Sequence, residues 1–182
     1  MIEIIFNIVG IFVVGIVQVS LLTTWPPPVS SLNLILSLVI FLAVIVNYQK
    51  GLWWALGAGL FLELYSAYSF GTTTLSLLAV VILINFLFSN LFTNRSLYSL
   101  LILGFIGTLS YNLFILFFNA LALISGSSSY FLIFDFWSQF FWQPLFNTLI
   151  LAIIFFTFHI STGRLKNIFL FPSNAYENKS QR

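Results

Sequence analysis

The chain has 182 residues, of which 60% are hydrophobic, 19% aromatic and 5% charged, with a formal net charge of +2. A soluble domain carries about 25% charged residues, so this chain lacks the polar surface needed to face water and reads as an integral membrane protein. It has no cysteine, one histidine and four carboxylates, which excludes disulfides and thiolate metal sites and leaves too few ligands for a His-rich zinc site or a di-iron centre.

A membrane-crossing helix needs roughly 20 apolar residues, so about six spans fit the length with short connections. The apolar runs are continuous rather than alternating, which argues for helices over a β-barrel. The first span is predicted at 4–22 and is stopped by Trp25-Pro26-Pro27-Pro28, because proline cannot continue a helix and pushes its predecessor towards extended backbone. It has no basic leading region and no A-x-A site, so it is not read as a cleaved signal peptide. The second span is predicted at 31–47, the third at 51–65, the fourth at 72–91, the fifth at 97–124 and the sixth at 141–160. Residues 130–142, which include Asp135, Ser138 and Gln139, follow a serine-rich stretch. Two readings stay open for them: an amphipathic segment on the membrane surface, or a long, broken start to the sixth span. The expected organisation is all-α: one transmembrane domain over 1–171 and a polar, disordered tail over 172–182.

The basic residues orient these spans. Lys50 follows the second, Arg95 the fourth, and Arg164, Lys166, Lys179 and Arg182 the sixth. In a six-span arrangement all of them fall on one side, which the positive-inside rule makes cytoplasmic. Both termini are then inside. Trp25, Trp137 and Trp142 fall at the outer interface, Trp53 and Trp54 near the inner one.

Ionisable residues within spans are rare and point to function by default. Glu63 is the clear case. It ends a series of small residues spaced by four, Gly51, Ala55 and Gly59. Such residues share one helix face and let a neighbouring helix approach closely. At 1.5 Å per residue Glu63 lies about 18 Å from the inner end of its span. Every basic residue is on the other side, so its carboxyl is expected to be neutral or hydrogen-bonded to neutral donors. Gln18, Tyr111 and Asn112 reach a similar depth, Ser66 and Tyr68 lie just above, and Asn147 enters the sixth span from outside. These residues are expected to form a polar cluster, the alternative being that each bonds to backbone separately. Asn85 and Asn90 are expected to bond across helices. Gly104, Gly107 and Ser110 make a second small face on the fifth span.

Gln18-Val19-Ser20-Leu21-Leu22, the proline-rich turn, and Leu32-Asn33-Leu34-Ile35-Leu36 resemble the start of the rod shape-determining MreD family. The stronger likeness is in the series Gly51, Ala55, Gly59, Leu60, Glu63, Ser66 and Gly71, which resembles that family's glycine-rich third span. There an acidic residue, usually aspartate, precedes a glycine turn. The resemblance covers roughly residues 10–110. It implies a fold similar to the substrate subunits of energy-coupling-factor transporters. It also implies a non-catalytic subunit of the bacterial elongation machinery in the cytoplasmic membrane. MreD-like proteins partner MreC, and with it link MreB filaments to a RodA-type glycosyltransferase and its transpeptidase. Gln18, Asn33, Gly51, Ala55, Gly59, Glu63, Gly71 and Asn112 are the interaction and structural residues this reading selects.

The main alternative is a substrate-binding subunit of an energy-coupling-factor vitamin transporter. Against it, the first span offers Gly10 and Gly15 but no A-x-x-x-A, and the outer connections are short and apolar. An enzyme is not expected. No phosphate-binding loop, H-E-x-x-H or G-x-S-x-G occurs, and no cofactor or nucleic-acid partner is implied. Reporter fusions after Lys50, Ser127 and Arg182 test the topology. The first and last should report cytoplasm and Ser127 the outside; a cytoplasmic Ser127 fusion contradicts six spans.

Overall fold

The computed structural model describes residues 2–22, 24–26, 28–66, 68–92, 96–124 and 133–161. All regular structure among them is helical. Six α-helices follow in order: α1 (Ile2–Val17), α2 (Leu34–Phe41), α3 (Tyr48–Glu63), α4 (Thr72–Leu91), α5 (Leu97–Ile124) and α6 (Ile133–Ser161). Wider π-type turns extend α1 over Gln18–Leu22 and α2 over Leu42–Val46. The serine-rich stretch, Arg95 and the polar tail lie outside the described residues.

Three helices are long and apolar enough to cross a membrane: Thr72–Leu91, Leu97–Leu121 and Gln139–Ile160. Ile5–Ser20 and Leu34–Val46 are apolar but shorter. The helix α3 has 16 residues, about 24 Å of rise, which falls short of a hydrocarbon core of about 30 Å. The bounds expected for the fourth and fifth spans agree with α4 and α5. Residues 133–142 run on into α6 as one unbroken helix, and the apolar stretch long enough to cross a membrane begins at Gln139. Pro144 sits inside that helix, where it has no N–H to give to the preceding turn.

The helix α2 is the centre of the bundle. Ile35, Leu36, Val39, Ile40, Phe41 and Val44 are all buried, and the segment packs against α3, α5 and α6. Because protein rather than lipid surrounds it, it can end short of the bilayer thickness and carry a wide turn without exposing backbone to hydrocarbon. By contrast Phe6, Val9, Val13 and Ile16 of α1, and Phe105, Leu113 and Phe117 of α5, are exposed. An apolar surface of this kind is what a bilayer accepts, and it makes the chain a membrane protein in structure as in composition.

Small residues set the helix spacings. A β-carbon on Gly59 would stand 2.8 Å from the Thr74 Cα of α4, and one on Gly51 would stand 2.7 Å from Ala43 Cβ and 2.9 Å from its Cα. Ala55, between them, is fully buried. The stripe on α3 is therefore an internal seam, closed against α4 and the end of α2. Gly104 and Gly107 both sit at close helix contacts, as expected of a small face, but with different neighbours. Gly104 abuts Leu151 of α6, whereas Gly107 meets Ile84 of α4 and Ile40 of α2. On the other side of α3, Phe61 packs edge-on against Phe12 of α1 at 5.5 Å between ring centres, and Trp54 Nε1 donates to Asn7 Oδ1 at 3.2 Å.

The neighbour of Gly59 is backbone, which cannot rotate away, so Gly59→Ala must push α3 and α4 apart. We expect it to lower stability in detergent by about 1–3 kcal/mol. Leu60→Ala, on an exposed position, should cost under about 0.5 kcal/mol. Equal effects would contradict the seam.

Candidate functional site

The turn between α3 and α4 places a carboxylate at a helix start. The first N–H groups of any helix lack intrahelical partners. Gly71, the residue before α4, has φ +95°, a left-handed conformation that glycine adopts without steric cost. It supplies no side chain, so the cap comes from α3. Thr73 N donates to Glu63 Oε1 at 3.0 Å and Thr74 N donates to Oε2 at 3.4 Å. The Thr74 hydroxyl also donates to Oε2.

Glu63 is only 7% exposed, yet all of these partners are neutral. Hydrogen bonding to neutral donors, one of the outcomes expected for it, is found. A charged residue at the centre of a span costs about 2.5–3.5 kcal/mol on insertion scales. Hydrogen bonds to a charged group contribute about 1.5–3 kcal/mol each, and the positive end of the α4 dipole adds to them.

A second set of contacts fixes the start of α2. Gln18, in the wide turn after α1, donates from Nε2 to Leu32 O at 3.0 Å and accepts from Leu34 N at 2.7 Å. Its one carboxamide thus satisfies both polar directions of an extended backbone. Asn33 caps α2, its Oδ1 accepting from Leu36 N at 2.9 Å. Its own N–H donates to Asn147 Oδ1 of α6 at 2.9 Å. Asn147 Nδ2 then reaches Thr108 Oγ1 of α5 at 3.4 Å. The start of α2 and the helices α5 and α6 are tied together through one side chain, that of Asn147.

Between these two sets lies a cavity of about 400 Å³. Of the expected polar cluster, Gln18, Ser66, Tyr68, Tyr111 and Asn112 line it, together with Asn33 and with Thr73 from the Glu63 cap; Glu63 and Asn147 are not in the lining, and Gln18, Glu63 and Asn147 bond to backbone, as the alternative had it. Asn112 is 4% exposed and Gln143, another lining residue, 6%. The Nδ2 of Asn112 and the Oε1 of Gln143 are buried without a hydrogen-bond partner among the described residues.

Of the residues selected from sequence, Gln18, Asn33 and Asn112 meet at the cavity, and Glu63 stands behind Thr73. Gly51, Ala55 and Gly59 serve packing and Gly71 the turn. Asn90 corrects an expectation: its Nδ2 donates to Phe86 O of its own helix at 3.0 Å, not to a neighbour. Sequence reasoning passed over Thr73, Thr74 and Gln143. The run Thr72-Thr73-Thr74 directly after a glycine turn was an available signal for a helix start needing a cap. Gln143 carried none beyond being polar beside Pro144. No group of three His, Cys, Asp or Glu that could hold a metal ion occurs among the described residues. No protein-family model matches the chain, and no curated protein or solved structure matches it either.

The cap predicts an order of stability. Glu63→Gln keeps one acceptor oxygen but turns an NH₂ group towards the threonine donors, and should cost about 1–2 kcal/mol. Glu63→Lys removes every acceptor and sets a cation at the positive end of α4, so its loss should be larger. In a double-mutant cycle with Thr74→Val, Glu63→Gln should show coupling of about 1 kcal/mol. Additive effects would mean that the hydroxyl contact contributes nothing.

Proposed function

We propose that this chain is a non-catalytic membrane scaffold subunit of a bacterial cell-shape and peptidoglycan-elongation complex. In this reading it spans the cytoplasmic membrane six times with both termini inside. It works with an MreC-like bitopic partner, and through it with MreB filaments and a RodA-type glycosyltransferase and transpeptidase pair. The MreD-like pattern from Gln18 to Gly71 is what suggests these partners.

One observation carries the non-catalytic part. Gln18, Asn33 and Glu63, buried polar residues described above, bind backbone at or beside helix starts. Glu63, the buried carboxylate among the described residues, is engaged by the start of α4. General acid–base catalysis needs a titratable group within reach of a substrate proton, and here that group is committed to structure. The long exposed apolar faces of α1 and α5 suit a protein that meets its partners within the bilayer.

The test is co-purification from membranes with an MreC-like coiled-coil protein from the same cells, together with depletion of this chain. Recovery of the pair, and rounding of rod-shaped cells on depletion, is the expected result. Failure to recover the pair with normal cell shape on depletion removes the reading, as does substrate turnover by the purified chain.

A further inference from the structure

Three polar side chains of α4 are satisfied within their own helix. Ser76 donates to Thr72 O, and Ser89 and Asn90 both donate to Phe86 O. Asn85 is different. It makes no hydrogen bond among the described residues, and it is partly exposed. It lies in the segment Thr72–Leu91, which is long and apolar enough to cross a membrane. It stands six residues before the end of that helix, about 9 Å inside it. Its Cα–Cβ bond tilts towards the helix start, away from the nearer end, so the side chain does not reach back to the membrane surface. Hydrocarbon there neither gives nor takes a hydrogen bond, and an unpaired carboxamide is costly in it.

Asn85 also belongs to a seam. Leu75, Leu78, Ile82, Asn85 and Ser89 follow one another at steps of three, four, three and four residues, and each is exposed or partly exposed. Alternating steps of three and four are the spacing at which two helices pack side by side with a shallow left-handed crossing, the commonest geometry between helices in membranes. We propose that this seam joins two copies of the chain within the bilayer, the two Asn85 carboxamides hydrogen-bonding to each other across a two-fold axis. Two properties select a second copy over an unrelated helix. A carboxamide carries both donor and acceptor, so two of them satisfy each other in the self-complementary contact that a two-fold axis makes. Copies inserted in the same orientation also carry Asn85 at the same depth, whereas another helix would need a polar group at that level. A single asparagine in an apolar seam fixes register and the number of helices as well. The contact goes beyond the scaffold reading and makes no use of its partners.

The chain has no cysteine, so single introduced cysteines report contacts cleanly. In proteoliposomes of the purified full chain under mild oxidation, Ile82→Cys should form a disulfide-linked dimer well before Phe105→Cys, which is exposed on α5. Energy transfer between copies labelled at the amino terminus, followed as the protein is diluted in lipid, gives the dimer dissociation constant. Asn85→Leu should weaken the dimer roughly three- to thirtyfold, the worth of an interhelical hydrogen bond in lipid. Asn85→Gln keeps donor and acceptor and should restore most of the affinity. Neither variant should lower the melting temperature of the dilute chain. Wild-type energy transfer no greater than random mixing gives, an Asn85→Leu dimer as tight as the wild type, or cross-linking at Phe105 as fast as at Ile82 overturns the proposal. So does a lower melting temperature for dilute Asn85→Leu, which assigns Asn85 to the fold of the single chain. An Ile82→Cys cross-link in cells to a different membrane protein alone gives the seam to that protein and overturns it too. Because the purified chain suffices, co-purification of an MreC-like partner is read separately, and either idea can fail alone.

Discussion

A helix start that is buried by protein, as Thr72, Thr73 and Thr74 are, cannot give its end N–H groups to water. The bundle is organised around how that constraint is met where α3 turns back into α4. The capping residue position, Gly71, has no side chain, and the acceptor is brought in from the neighbouring helix as Glu63. A carboxylate that looks isolated along the sequence becomes one half of a helix cap. The same solution recurs at the start of α2, where Asn33 caps its own helix and Gln18 satisfies the backbone just before it.

The seam of small residues and the cap work as one device. Gly59 lies one turn before Glu63, and the residue it touches is Thr74, which is also a partner of Glu63. With a side chain at Gly59, α4 would stand farther off and the carboxylate would lose its reach. Close van der Waals approach is the main attraction between helices in lipid. Here it also sets the distance at which a polar interaction can form. That coupling gives the series of small residues leading to Glu63 a physical purpose inside the chain, without requiring a partner protein at that face.

Much of the architecture was legible in the sequence. The bounds of α4 and α5 follow from uninterrupted apolar runs between polar breaks, and the stripe on α3 follows from the spacing of Gly51, Ala55 and Gly59. The gathering of Gln18, Tyr111 and Asn112 followed from counting depth along each span. Two things were not legible. The small residues do not reveal which neighbour they meet, so Gly104 and Gly107 read as one face although they pack against different helices. Two of the partners of Glu63 are backbone amides, which every residue carries, so a side-chain inventory could single out only the Thr74 hydroxyl. Short α2 was hidden for a related reason: hydropathy measures apolar content, and a helix enclosed by protein is as apolar as one facing lipid.

The central claim is that the Glu63 carboxylate holds the first turn of α4. Amide hydrogen exchange at Thr73 and Thr74, read by NMR in nanodiscs for the wild type and Glu63→Ala, tests it most directly. The account predicts strong protection of both amides in the wild type, and its loss at those two positions in the variant while α5 amides such as Leu103 keep theirs. If Thr73 and Thr74 exchange equally in the two proteins, Glu63 is not the cap and the account is wrong.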